Sequence, residues 1–373
     1  MGIEEGPDVA KLRQLRELLP ATSAGIYLDT AARGPLPAET AAAMRDADDW
    51  ELRVGRATEG RDEDLAQRVE EAKAVLAALI VGDPADVTLT AGVGHALSIC
   101  AWAPDWRAGD RAIVVGHHHA DALRGLAERF GLDLMIVEAK RIPDKMTPRT
   151  RLVMLPHVDP STGALLPTQP IAQATSESGT WLVLDASLSA GAIALDVTAL
   201  GVDFVALPGD RWLLGPEATG ALWIGPRPRA AGFMGDWAKA ELGRTAVLGL
   251  ARSVGWLEMY VGLEWAYARG RQLTKRLHAA LSVAPGVELL TDQDALATVA
   301  CFRLPAWPVE EGLAELRRRV FAVVSPTQNR TAIRASVAWF NTEEEIDRFA
   351  EAVVEIARHT PETIPRRPPL VVR

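Results

Sequence analysis

Polar side chains in this chain gather at the ends of short apolar runs, where a folded enzyme would present them to a ligand. Asp185 closes the run WLVLD. A carboxylate at the end of a buried strand is costly unless a cation or several donors meet it, so it pairs with a ligand or caps a helix. Asp210 and Arg211 sit in the tight turn PGDRWLLGP, directly after the run DFVAL. Arg334 lies in TAIRASVAW, and a planar two-pronged guanidinium suits a carboxylate. An ion pair between lobes is its alternative use. Gly92, Val93 and Gly94 follow another run, with a helix starting near Gly94. Glycines there let backbone N–H groups approach an anion at a helix N-terminus, although a glycine turn without any ligand is as common. His117, His118 and His119 stand together in GHHHAD. Neighbouring side chains point in different directions, and no carboxylate or cysteine spacing accompanies them, so no metal is expected. One histidine stacking on a flat ligand is the better expectation.

The elements that must position these residues follow from periodicity. Helical patterns cover about 8–18, 38–54 and 62–81, separated by IYLDTAARGPLP, where Gly34, Pro35 and Pro37 forbid regular structure. From about 85 to 225, RAIVV, DLMIV, RLVML, WLVLD, DFVAL and GALWI alternate with helical stretches. That alternation predicts a mainly parallel sheet covered by helices on both faces, with its ligand beyond the carboxyl ends of the strands. One long helix is expected over about 247–281, and then VELL, ATVACFRL, RRVFAVV and TAIRASVAW as alternating elements. A last helix runs from Thr342 to about Arg358, opened by a capping box of Thr342 and Glu345. The tail PRRPPLVVR reads as an irregular surface segment. The fold class is therefore α/β: a large domain over 20–250, and a smaller α+β domain made of 1–19 and 251–373.

Bulk properties narrow the partners. The chain has 373 residues, 48% hydrophobic and 24% charged, with a net charge of −9. That acidity argues against nucleic acid and anionic membranes. No apolar run reaches the roughly 18 residues of a membrane span, and the acidic N-terminus does not read as a signal peptide. A cytoplasmic protein acting on a small molecule is expected. Cys100 and Cys301, both in apolar surroundings, read as buried reduced thiols.

Taken in order, these stretches resemble the class V aminotransferase superfamily, which includes cysteine desulfurases, kynureninase and isopenicillin-epimerase-like proteins. YLDTAARGPLP looks like the family's opening motif, HHHAD like its ring-stacking motif, and PHVDPSTGALLP like its strand-turn cofactor contact. LDASLSAG resembles the stretch whose aspartate pairs with the pyridine nitrogen, and IRASVAWFNTEEEIDRF the one whose arginine holds the substrate carboxylate. The resemblance spans nearly the whole chain and implies a fold type I pyridoxal-phosphate (PLP) architecture. It makes Asp185 the ring-nitrogen partner and His118 the stacking residue, with His117 as its rival. Gly92, Val93 and Gly94 take the phosphate end, and Arg334, Ala32 and Arg33 the substrate. It also implies a homodimer with the active site at the subunit interface, where Arg244 or Thr245 would reach the neighbour's phosphate.

The departures from the family are as informative. Its Schiff-base lysine is replaced by Arg211, and the serine and histidine before it by Pro208 and Asp210. A Schiff base needs an amine that can lose its proton, which guanidinium does not do at physiological pH. Lys11, Lys73, Lys140, Lys145, Lys239 and Lys275 lie outside that turn, Lys239 being the nearest in sequence. Val93 and Gly94 stand where hydroxyls are usual, Pro160 replaces an asparagine and Leu188 a glutamine, and Asp210 would repel a phosphate. The loop VVSPTQNRTA lacks a cysteine, which argues against desulfurase activity. Three readings remain: an enzyme acting on an amino-acid-like or acidic substrate without Schiff-base PLP chemistry; an enzyme binding pyridoxal or pyridoxamine phosphate non-covalently, with His118 moving the proton; or a silent binding or partner homologue. His118, Asp210 and Arg211 are the catalytic candidates, and no covalent cofactor is expected.

Overall fold

A computed structural model of the chain describes residues 7–233 and 240–365; Lys239 and the tail beyond Pro365 lie outside the described residues. Helix α1 (Pro7–Glu17) and strand β1 (Ile26–Tyr27) precede α2 (Ala38–Val54) and α3 (Arg61–Leu79). A βα alternation follows: β2 (Val87–Thr90), α4 (Val93–Ala101), β3 (Arg111–Val114), α5 (His117–Phe130), β4 (Asp133–Ile136), α6 (Ile142–Lys145) and β5 (Thr150–Pro156). It continues through α7 (Thr168–Ser178), β6 (Trp181–Asp185), α8 (Val197–Leu200), β7 (Phe204–Pro208), β8 (Gly220–Ile224) and α9 (Pro226–Ala230).

These strands form a seven-stranded sheet in the order β2-β8-β7-β6-β5-β3-β4, and all but β8 run the same way. Successive side chains leave opposite faces. Leu152 and Met154 therefore join Leu97 and Leu123 of α4 and α5. Val153 and Leu155 join Leu76 and Leu250 on the other face. Burial on both faces is why the strands read as unbroken apolar runs. Cys100 and Cys301 are free and buried; burial pushes the Cys301 thiol up to about 12.

The long helix expected over 247–281 is broken. Helix α10 (Arg244–Trp256) passes through a π-helical turn to Gly262 at φ +79°, and α11 (Leu263–Ser282) starts afresh. That backbone is cheap only for glycine. The break lets α10 bury Leu250 against the large sheet while α11 buries Leu273 and Leu277 in a second core. Strands β9 (Glu288–Leu289) and β10 (Val299–Arg303), helix α12 (Val309–Val320), strands β11 (Ala322–Val323), β12 (Ser325–Pro326) and β13 (Ile333–Ser336), and helix α13 (Glu343–Ala357) complete the chain. The run RRVFAVV is not one element: it is helical as far as Val320 and extended at Ala322–Val323. Buried Arg319 holds the helical part through Glu315 at 2.5 Å and Glu355 at 2.7 Å.

Strands β12-β13-β10-β9 form an antiparallel sheet covered by α11 and α13, and β1 pairs in parallel with β11. Ile26 and Leu28 consequently pack with Phe302 and Phe349 in that second core. The capping box opens α13 as expected, with reciprocal 3.1 Å bonds between Thr342 and Glu345. No described helix is long and apolar enough to cross a membrane.

Candidate active site

Because the strands other than β8 run in one direction, their carboxyl ends open on a single edge of the sheet. A cavity of about 640 Å³ lies there. Val93 and Gly94 after β2, His118 after β3, Pro160 after β5, Asp185 and Ser187 after β6, and Arg211 after β7 form one wall. Ser325, Thr327, Gln328 and Arg334 from the smaller sheet, with Ala31 and Ala32, form the other.

Asp185 is the centre of the first wall. Its Oδ1 accepts the Ser187 N–H at 2.8 Å, while Oδ2 faces His118 Nε2 at 3.4 Å and His119 Nε2 at 3.2 Å. Burial pushes the Asp185 pKa up, but His118, His119 and then Arg211 outweigh it and hold the carboxyl well below its ordinary value. The two imidazoles lie tilted against each other, with ring centroids 3.7 Å apart. The expectation that adjacent histidines diverge therefore fails for this pair. His118 begins to leave the helix start toward the cavity, whereas His119 is fully buried and its Nδ1 lies 2.5 Å from the Val115 carbonyl. His117, the rival for the ring-facing place, is exposed. Sequence reasoning missed His119; the available signal was its i, i+4, i+7 register with the core residues Leu123 and Leu126.

Arg211 is held by its backbone. Gly34 donates its N–H to the Asp210 carbonyl at 2.8 Å, and a Cβ at Gly34 would stand 2.0 Å from the Arg211 carbonyl oxygen. Only glycine permits that approach. Trp212, buried beside it, donates to the Val337 carbonyl at 3.3 Å. The Arg211 guanidinium reaches the cavity and donates one bond, to the Ser187 carbonyl at 3.3 Å. Asp210, in contrast, does not line the cavity.

Across the cavity, Arg334 donates to Ser325 Oγ at 2.9 Å and lies 3.7 Å from Asp29 Oδ1, to which Ser325 donates at 2.6 Å. Its Nε is buried without a hydrogen-bond partner. Burial lowers the Arg334 pKa and raises that of Asp29; Asp29 supports the Arg334 charge, and Arg211 opposes it. The partners Asp29 and Ser325 were not anticipated from the sequence.

Other expected residues fall elsewhere. Arg33 points to the surface and pairs with Glu217 at 2.8 Å, although neighbouring Ala32 lines the cavity. Gly92 caps α4 at φ +90° just outside the cavity wall. Arg244 is away from the cavity in its own chain, ion-paired with Asp64 and stacked 4.4 Å over Trp50, and Thr245 bonds to Asp48.

Known proteins share this fold. The family model for aminotransferase class-V matches residues 26–238. A probable cysteine desulfurase from Methanothermobacter thermautotrophicus is 26% identical over 394 residues, covering 93% of this chain and 98% of that protein. Isopenicillin N epimerase from Streptomyces clavuligerus is 27% identical over 381 residues, covering 88% and 94%. Among solved structures, the cystine C-S lyase C-DES in complex with its product cysteine persulfide has a TM-score of 0.82 at 20% identity, covering 90% of this chain and 99% of that one. The apo cysteine desulfurase from Thermococcus onnurineus has a TM-score of 0.81 at 20% identity, covering 96% and 100%. The α/β fold, with a mostly parallel sheet flanked by helices, is common to all of these structures.

Proposed function

The chain belongs to the class V aminotransferase family, and from that premise we propose a small-molecule enzyme that binds an amino-acid-like or acidic ligand between Arg211 and Arg334 without a lysine-bound cofactor. One observation carries this reading. Two guanidiniums from opposite walls face one cavity, close enough that Arg211 disfavours the charge on Arg334. An anionic group between them relieves that repulsion and gains charge-assisted hydrogen bonds, each worth about 1.5–3 kcal/mol. The reacting end of the ligand then lies against His118 and Asp185.

A solved C-DES variant carries glycine covalently linked to its PLP cofactor. The residues around this cavity do not fit a covalently held copy of that cofactor. Arg211 stands at the lysine position, and no lysine among the described residues lines the cavity. Lys11 lies over the Trp265 ring, Lys73 pairs with Glu70 and Lys140 with Glu138. Val93 and Gly94 offer backbone N–H groups at the start of α4 but no hydroxyls for a phosphate. The same reading takes the chain as a cytoplasmic homodimer with the cavity at its interface; exposed Leu52 and Met259 support a covered face, and mass photometry reads the subunit count.

The test is to incubate purified protein with PLP, record its near-visible absorbance before and after borohydride, and titrate dicarboxylates and amino acids calorimetrically. The expected result is no reducible band and binding of acidic ligands that Arg211→Ala weakens by about a hundredfold. A reducible band overturns the lysine-free reading, and a cofactor band untouched by borohydride favours non-covalent PLP. Acidic ligands binding equally well to Arg211→Ala overturn the guanidinium clamp.

A further inference from the structure

We propose that His118, His119 and Asp185 form a binding site for a zinc-like divalent cation at the floor of the cavity. Each residue offers one ligand atom, and the three atoms lie within 4.8 Å of one another. The two measured separations, 3.2 Å and 3.4 Å from the Asp185 Oδ2 to the imidazole nitrogens, match neighbouring ligands around one ion. Metal–ligand bonds of about 2.0–2.2 Å place adjacent tetrahedral ligands roughly 3.4 Å apart.

The hydrogen bonds around the cluster favour a cation over a purely internal arrangement. The Val115 carbonyl only accepts, so at 2.5 Å it takes the proton of His119 Nδ1. His119 Nε2 then directs a lone pair at the Asp185 carboxylate, which is also an acceptor. Bringing both groups together without a cation requires a fully buried imidazolium–carboxylate pair. A cation between the groups avoids it, with both imidazoles neutral. A carbonyl accepting from the nitrogen opposite the metal-bound one is the usual way of fixing a histidine ligand. The remaining carboxylate oxygen is occupied by the Ser187 N–H at 2.8 Å, leaving Oδ2 as a single-oxygen ligand. Arg211 does not compete for it, since its hydrogen bond goes to the Ser187 carbonyl. His118 is the one partly exposed ligand and faces the cavity, so a rotation of its ring can tighten the set. The ion would retain an open position toward the cavity. Two histidines and one carboxylate suit zinc, cobalt or ferrous iron rather than magnesium or calcium.

This site is independent of which anion the guanidiniums hold. The experiment uses the full chain, stripped with chelator, then titrated with Zn²⁺ and Co²⁺ by calorimetry and by the visible absorption of bound Co²⁺. One equivalent per chain is expected, with affinity falling at least about a hundredfold in Asp185→Asn and His119→Gln. Circular dichroism checks that each variant folds; if His119→Gln does not, His118→Ala carries the decision. Arg334→Lys should weaken anion binding and leave metal binding unchanged, which separates failure of this site from failure of the guanidinium clamp. Absence of a stoichiometric metal, or metal binding that survives both Asp185→Asn and His118→Ala, overturns the proposal.

Discussion

The two walls of the cavity solve the same problem, a charge out of water, in different ways. On the large-sheet wall, Asp185 accepts a backbone N–H from Ser187, and its other oxygen faces two imidazoles that follow β3, one strand beyond its neighbour β5. The Arg211 cation beside it donates to a carbonyl at 3.3 Å and lies close enough to Asp185 to favour its charged form. On the small-sheet wall, Arg334 has a carboxylate, Asp29, at 3.7 Å and a serine bridging the two. The difference teaches that the two guanidiniums are not equivalent: Arg334 meets Asp29 with a serine bridging the two, whereas Arg211 shares its wall with an Asp185 already engaged by a backbone N–H.

That contrast orders the expected effects. Arg211→Ala should cost about 2–3 kcal/mol of acidic-ligand binding, as expected for a charge-assisted pair, and calorimetry with a dicarboxylate measures it. A smaller loss than that of Arg334→Ala would invert the comparison. The second test concerns the large-sheet wall, where His157 donates its backbone N–H to the Asp185 carbonyl at 2.9 Å. Burial lowers the His157 side-chain pKa from 6.5 to about 4, so the folded state prefers its neutral form. Stability from this group is present above pH 6.5 and is lost as pH falls through about 4. Wild type should therefore lose ~3 kcal/mol more than His157→Gln between those pH values, read from urea unfolding midpoints. Parallel curves would refute it. Arg334→Lys should weaken ligand binding about tenfold, because lysine keeps the charge but loses the planar fork. The smallest effect belongs to Asp29→Asn. Removing the offset should tighten anion binding by a few-fold, within the ~0–1 kcal/mol usual for a partly exposed pair, and lower the melting temperature by burying Arg334 unpaired. Weaker binding in that variant would mean Asp29 serves mainly to aim Arg334.

The site was unevenly legible. Asp185, Arg211, Val93 and Gly94 could be found because each follows or ends an apolar run, and a parallel sheet brings such ends together; Arg334, inside β13 of the antiparallel sheet, was found from its motif instead. Arg33 carried the same kind of signal, being next to Ala32 in a glycine- and proline-rich loop, yet it turns outward to Glu217. The choice among three successive histidines rests on a helix phase of about 100° per residue, which decides that His117 is exposed, His118 faces the cavity and His119 is buried.

By itself, the sequence determined the layered α/β architecture and the strand ends that carry polar groups, Arg211 among them. Apolar periodicity records which face of each element leaves water, and that is local information. Tertiary structure alone decided which charges meet. It joined Asp29 to Ser325 across 296 positions, tied Arg244 to Asp64, and turned the chain at Gly262 from one core into the other. Electrostatic and hydrogen-bond energies depend on separation in space, and only the folded chain converts distant positions into a distance of a few ångströms.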